Sequence, residues 1–166
     1  MRIATTLIYI MLLTAAVSAR PVLTDPTEQI GRAFLEALKA GDFKKLKGLT
    51  PALRVWRKLF PVGSKKLTDE ELMKALEKNY YPKLRKDFDA IMESARERKI
   101  GISRLEFVEA RLHKQNGEET ITGMAVFYRY GEKDGRFSLT VIRMEGGYYL
   151  SEILLSYDVF RGIAVE

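Results

Sequence analysis

Apolar residues fall along this chain in two rhythms. Up to about residue 98 they recur at helical spacing, and from Ile102 onward they alternate with polar residues. The first rhythm predicts amphipathic helices and the second half-buried β-strands. Ile30, Ala33, Phe34, Ala37 and Leu38 make one stripe of a helix expected over Thr24 to Ala40. Asp25 is its cap, Pro26 its first residue, Glu28 the partner in a capping box, and Gly41 the residue that ends it. Asp42 starts a short second helix with Phe43, Leu46 and Leu49 inward, and Thr50-Pro51 restarts the pattern with Leu53, Trp56, Leu59 and Phe60. Pro61 to Lys66 carries proline, glycine and serine and reads as a linker. Thr68-Asp69-Glu70-Glu71 is a second capping box, followed by Leu72, Met73, Leu76 and Tyr80 on one face. Pro82 either kinks this helix or opens a new one at Tyr81. Leu84, Phe88, Ile91, Met92 and Ala95 carry the stripe on, and Gly101 closes it.

From Arg104 to Leu155 the pattern predicts four strands and three tight turns, at Asn116-Gly117, Lys133-Asp134-Gly135 and Glu145-Gly146-Gly147. Phe137, Leu139 and Val141 share one face, and Ser138 and Thr140 the other. The strand around Thr120 to Tyr128 is apolar on both faces, as in a strand covered on both sides or lining a pocket. Short turns make neighbours antiparallel. The expected fold class is therefore α+β: helices over about 25–98 packed on one face of a curved, four-stranded antiparallel meander over about 104–155. The tail from Ser156 to Glu166, with Val159, Phe160, Ile163 and Val165, either docks on the body or extends the sheet of a partner.

Residues 1–19 stand apart. Arg2, an apolar run from Ile3 to Val17 and the small residues Val17-Ser18-Ala19 read as a signal peptide, leaving a single mature domain over 20–166. An uncleaved N-terminal anchor is the alternative, but the run is short for a membrane span and stops at Arg20-Pro21. The expected location is exported, periplasmic or extracellular, with no stable membrane span once the leader is removed. The chain contains no cysteine, which removes disulfides, thiolate metal sites and cysteine nucleophiles. Export without disulfides suits a bacterial envelope. With 166 residues the chain can hold itself by its core, since a domain of this size buries roughly 68–70% of its unfolded surface. Net charge is +6, from 28 basic and 22 acidic residues. The basic residues lie beside acids, as in Arg96-Glu97-Arg98-Lys99, and an exported protein rarely meets nucleic acid, so no nucleic-acid partner is expected.

The segment Ala33-Phe34-Leu35-Glu36-Ala37-Leu38-Lys39-Ala40-Gly41-Asp42 resembles the first helix and Gly-Asp turn of the nuclear transport factor 2-like superfamily, also called the cystatin-like cone. Gly147-Tyr148-Tyr149-Leu150-Ser151-Glu152-Ile153 resembles its closing strand, with Tyr148 where a tryptophan is usual. The resemblance covers most of 25–155, although the strand this family usually carries between its early helices has no counterpart here. It implies a pocket between a bent sheet and its helices, and membership ranges over isomerases, dehydratases, polyketide cyclases, transport adaptors and domains that simply bind. It therefore implies a cavity rather than a reaction. Such domains often pair through the open sheet face, so the resemblance also implies a homodimer as one arrangement.

Candidate chemistry is sparse. His113 is the only histidine and is expected at an exposed strand end; no metal site and no cofactor are expected. Phosphate loops, nucleophile elbows and helical zinc motifs are absent from the sequence. Glu152 is the candidate catalytic residue. If it faces inward with Tyr148, Leu150 and Leu154, desolvation would raise its pKa; if Tyr149, Ser151, Ile153 and Leu155 face the core instead, it meets solvent. Trp56, Tyr80, Tyr128 and Tyr148 are the candidate ligand-binding residues, each with an apolar body and a polar tip. The expected function is an exported, non-catalytic binding domain that holds a small apolar ligand or an envelope protein in a cone-shaped cavity. The alternatives are an isomerase- or dehydratase-like enzyme using Glu152 with tyrosine donors, or a basic surface module for anionic envelope polymers.

Overall fold

A computed structural model describes residues 25–113, 120–155 and 159–163. The leader, the Asn116-Gly117 turn, Tyr157 and Val165 lie outside the described residues. Within them, six helices precede four strands: α1 (Pro26–Lys39), α2 (Phe43–Lys47), α3 (Leu53–Leu59), α4 (Pro61–Ser64), α5 (Asp69–Asn79), α6 (Tyr81–Glu97), then β1 (Glu106–Leu112), β2 (Ile121–Tyr130), β3 (Lys133–Met144) and β4 (Gly147–Leu154). The strands pair in sequence order, each antiparallel to the next, so the α+β arrangement of helices on a four-stranded meander is what the chain adopts.

Local chemistry accounts for the helix ends. Asp25 caps α1 by accepting from the Thr27 amide at 2.8 Å, but Glu28 turns to Arg32 instead of closing a capping box. Gly41 takes φ +60° beyond α1, and the Gly41 and Asp42 amides return to the Leu38 and Ala37 carbonyls, which satisfies the last turn. The Thr68–Glu71 capping box forms in both directions. Pro82 does open a new helix, at the second position of α6. The expected linker is instead a helical turn, α4, because Arg57 donates to the Ser64 and Leu67 carbonyls at 2.8 and 2.9 Å and pairs with Asp69. α6 ends before Gly101: Lys99 itself takes φ +56°, and the Ile100 amide closes on the Ala95 carbonyl.

Two sheet features depart from the sequence pattern. The turn between β2 and β3 is Gly131-Glu132, not Lys133-Asp134-Gly135; Tyr130 already pairs with Lys133, and Gly131 supplies the positive φ. Both edge strands carry a bulge. Val108 is the extra residue of β1 and Ser151 that of β4. Each bulge lets residues three apart face the core, Phe107 with Ala110 and Leu150 with Ile153, which strict alternation forbids.

The main core lies between α1, α6 and the sheet and is filled by side chains: Phe34, Leu38, Phe88, Ile91, Phe137 and Leu139 are all buried there. The tail docks on the body, with Val159, Phe160 and Ile163 in this core. Gly31 lets α1 approach β1 closely, since a methyl group there would lie 2.7 Å from the Ala110 Cβ. A second, smaller core forms where α3, α5 and α6 meet, from Trp56, Leu72, Leu76 and Tyr81. Among the described residues, no helix is long and apolar enough to cross a membrane.

Candidate functional site

A hollow of mixed polar and aromatic lining lies at the seam between the two cores. Trp56 reaches it from α3, where Phe60 stacks on its ring at 5.8 Å and Tyr80 meets it edge-on at 4.9 Å. Tyr80 sits at the break between α5 and α6, and its hydroxyl donates to the Leu150 carbonyl at 3.1 Å. The Leu150 amide in turn donates to the Leu49 carbonyl at 2.8 Å. Both main-chain groups of this edge residue are thereby satisfied without a neighbouring strand. Just beyond Leu150, the bulge at Ser151 re-aims the strand and brings Glu152 beside Lys83 of α6. Asp87, one turn further along α6, completes the lining, and the pocket measures about 210 Å³.

The charges in this pocket do not balance locally. Lys83 and Glu152 form an ion pair, and the hydrogen bond from Lys83, with the glutamate's charge, raises the lysine above its ordinary value. Asp87 is half-buried and forms no ion pair among the described residues. Burial raises its carboxyl above the ordinary aspartate range; Lys83 and Lys86 oppose the shift, and the negative charge of Glu152 adds to it. Burial likewise pushes the Tyr80 hydroxyl up, with Tyr81 and Glu152 adding to the shift. The indole N–H of Trp56 has no hydrogen-bond partner, although the residue is only 6% exposed. An orphaned donor of this kind is uncommon in a folded protein and costs free energy until an acceptor reaches it.

The site residues expected from sequence separate into three places. Trp56, Tyr80 and Glu152 come together in this pocket. Tyr148 lies instead in a second, more apolar hollow of about 370 Å³, with Ile30, Leu49 and Tyr149. Tyr128 lines neither: it is fully buried in the main core, and its hydroxyl donates to the Val159 carbonyl at 2.7 Å. His113 is exposed at the end of β1, where its ring packs over Gly123. Glu152 is neither fully inside nor free in solvent; its side chain is 35% exposed and tied to Lys83. Sequence reasoning missed Lys83 and Asp87, which read as the polar face of α6. Their i, i+4 spacing, which sets them on one side of the helix, was the available signal. Among the described residues, no group of three His, Cys, Asp or Glu side chains is placed to hold a metal ion.

No protein-family model matches the chain, and no curated protein matches it. Among solved structures it is similar to a cystatin-like protein from Ruminococcus gnavus, with 14% identity over 82% of this chain and a TM-score of 0.45. The chain spans 42% of the length of that protein.

Proposed function

We propose that this chain is an exported, non-catalytic binding domain that holds a small molecule against Trp56 and Tyr80. One observation carries the reading: the rings of Trp56 and Tyr80 line a pocket that also contains Asp87, a half-buried carboxylate with no ion pair among the described residues. The two rings would supply apolar contact area to a bound molecule. The enzymatic alternative needs Glu152 free to move a proton and a tyrosine free to assist. Here Glu152 is held by Lys83, and the Tyr80 hydroxyl is spent on the Leu150 carbonyl. Export rests on the leader-like residues 1–19 and on the absence of cysteine.

Trp56 is the chain's only tryptophan, so its emission reports on the pocket directly. Titration with a panel of small aromatic and aliphatic compounds is expected to give a saturable change in that emission. A flat response to the whole panel would refute the binding reading. Export is tested separately by N-terminal sequencing of the protein recovered from a secreting host, with cleavage expected after Ala19.

A further inference from the structure

We infer that the ligand of this pocket is a small organic cation, carrying an ammonium group and an apolar face. The inference rests on the binding reading above and goes further by naming the ligand's chemistry.

Two observations converge on it. The first is the charge count. Asp87 and Glu152 bring two carboxylates to a lining in which Lys83 is the only base, and Lys83 is committed to Glu152. Asp87 is left half-buried with no ion-pair partner among the described residues, so burial works against its charge. A cationic ligand would return the interaction that burial removed. The second is the wall. Trp56 and Tyr80 meet edge-on at 4.9 Å beside the carboxylates, and an ammonium group near such rings gains cation–π attraction as well as charge pairing.

Anions are disfavoured by the same geometry. Lys83 would have to leave Glu152 to receive one, and Asp87 would repel it. Size restricts the ligand further. At about 210 Å³ the pocket is smaller than drug-sized sites of roughly 300–1,000 Å³. One ring with a short arm suits that space.

Three near-isosteric probes test the inference by Trp56 emission on the whole protein: 2-phenoxyethylamine, 2-phenoxyethanol and phenoxyacetate. All three share a ring and an ether oxygen and differ in terminal charge. The amine is expected to bind roughly tenfold tighter than the alcohol, as one partly desolvated charge contact would give, with phenoxyacetate weakest. Asp87→Asn is expected to erase the margin of amine over alcohol. Should that variant fail to fold by circular dichroism, the unaltered protein still decides the matter, because its affinity for the amine alone should fall as salt is added. Equal binding of amine and alcohol would overturn the cation assignment and leave the binding pocket standing. Tightest binding by phenoxyacetate would overturn it in favour of Lys83 as the ligand's partner. No emission change with any probe would overturn both the inference and the pocket reading beneath it.

Discussion

The ring of Tyr128 on β2 lies flat across Gly135, its register partner on β3. A methyl group at Gly135 would sit 2.4 Å from both Cζ and the hydroxyl oxygen of Tyr128, far inside contact distance. The tyrosine cannot move aside, because Phe137 packs against it at 4.7 Å and Phe160 at 6.1 Å, and it is fully buried. Gly135 is therefore a packing glycine within a strand rather than a turn glycine. Gly135→Ala is expected to lower stability by about 1–3 kcal/mol through overpacking, measured by urea denaturation. A change within a few tenths of a kcal/mol would show that the ring is not fixed over the strand.

The same tyrosine anchors the tail. Its hydroxyl donates to the Val159 carbonyl at 2.7 Å inside the core, and Phe160 and Ile163 are buried just beyond. Tyr128→Phe keeps the ring over Gly135 and leaves the carbonyl without its donor, a loss expected to cost about 1–3 kcal/mol. Amide hydrogen exchange should rise more at 160–163 than in the centre of the sheet, since the contact removed belongs to the tail. A uniform rise would mean that the bond supports the whole fold equally.

Elsewhere an unfavourable backbone is left unrelieved. Lys99 occupies the left-handed position that ends α6, with φ +56°, while Gly101, the residue suited to it, lies two positions too late. The Ile100 amide must still reach the Ala95 carbonyl at 2.8 Å, and Ile100 must enter the core, so the chain bends at Lys99 whatever its side chain prefers. Lys99→Gly is expected to stabilise by about 1 kcal/mol, the usual cost of a side chain in this conformation. For a chain of this size that is a rise of about 2–4 °C in Tm by scanning calorimetry.

These positions show how far the pattern of the sequence reaches. Helical stripes, the Thr68 capping box and the order of strands follow from spacing and turn chemistry, both of which are local. The inward face of β3 was equally legible, because Phe137, Leu139 and Val141 keep strict alternation and are all buried. The edge strands were not. A bulge at Ser151 places both Leu150 and Ile153 in the core, so neither assignment of faces based on alternation describes β4. The position of Glu152, and with it the candidate site, depends on that one inserted residue. Trp56 and Tyr80 follow from residue type and Glu152 from its place in the alternation of β4, whereas Asp87 and Lys83 become visible only once α6 is laid beside the β4 edge. Tyr128 was misread for the complementary reason: residue type suggested a pocket rim, but packing over Gly135 and the tail hold it in the core.

The helix that presents Trp56 is joined to the β3–β4 turn through the carboxylate of Glu145. Glu145 takes φ +55° in the two-residue turn between β3 and β4, where it receives Lys58 and, at 3.0 Å, Arg54 from α3. The Lys58 hydrogen bond, together with the two positive charges and against a smaller opposing effect of burial, holds its carboxyl below the ordinary glutamate value of 4.5. A folded-state pKa lower than the unfolded one contributes stability that is present above the unfolded value and lost as pH falls through the folded value. In Glu145→Gln the amide cannot ionise, so that contribution should be missing at every pH. The variant is therefore expected to be less stable than the unaltered protein at pH 7, and the gap should close as pH falls below 4.5, read from urea midpoints across that range. Added salt should narrow the gap at pH 7, since all three side chains meet solvent. Trp56 emission at neutral pH should also shift in the variant, because releasing Arg54 and Lys58 loosens α3 where it borders the pocket. A gap that stays constant down to pH 3 would assign the effect to turn geometry instead of to the charge of Glu145.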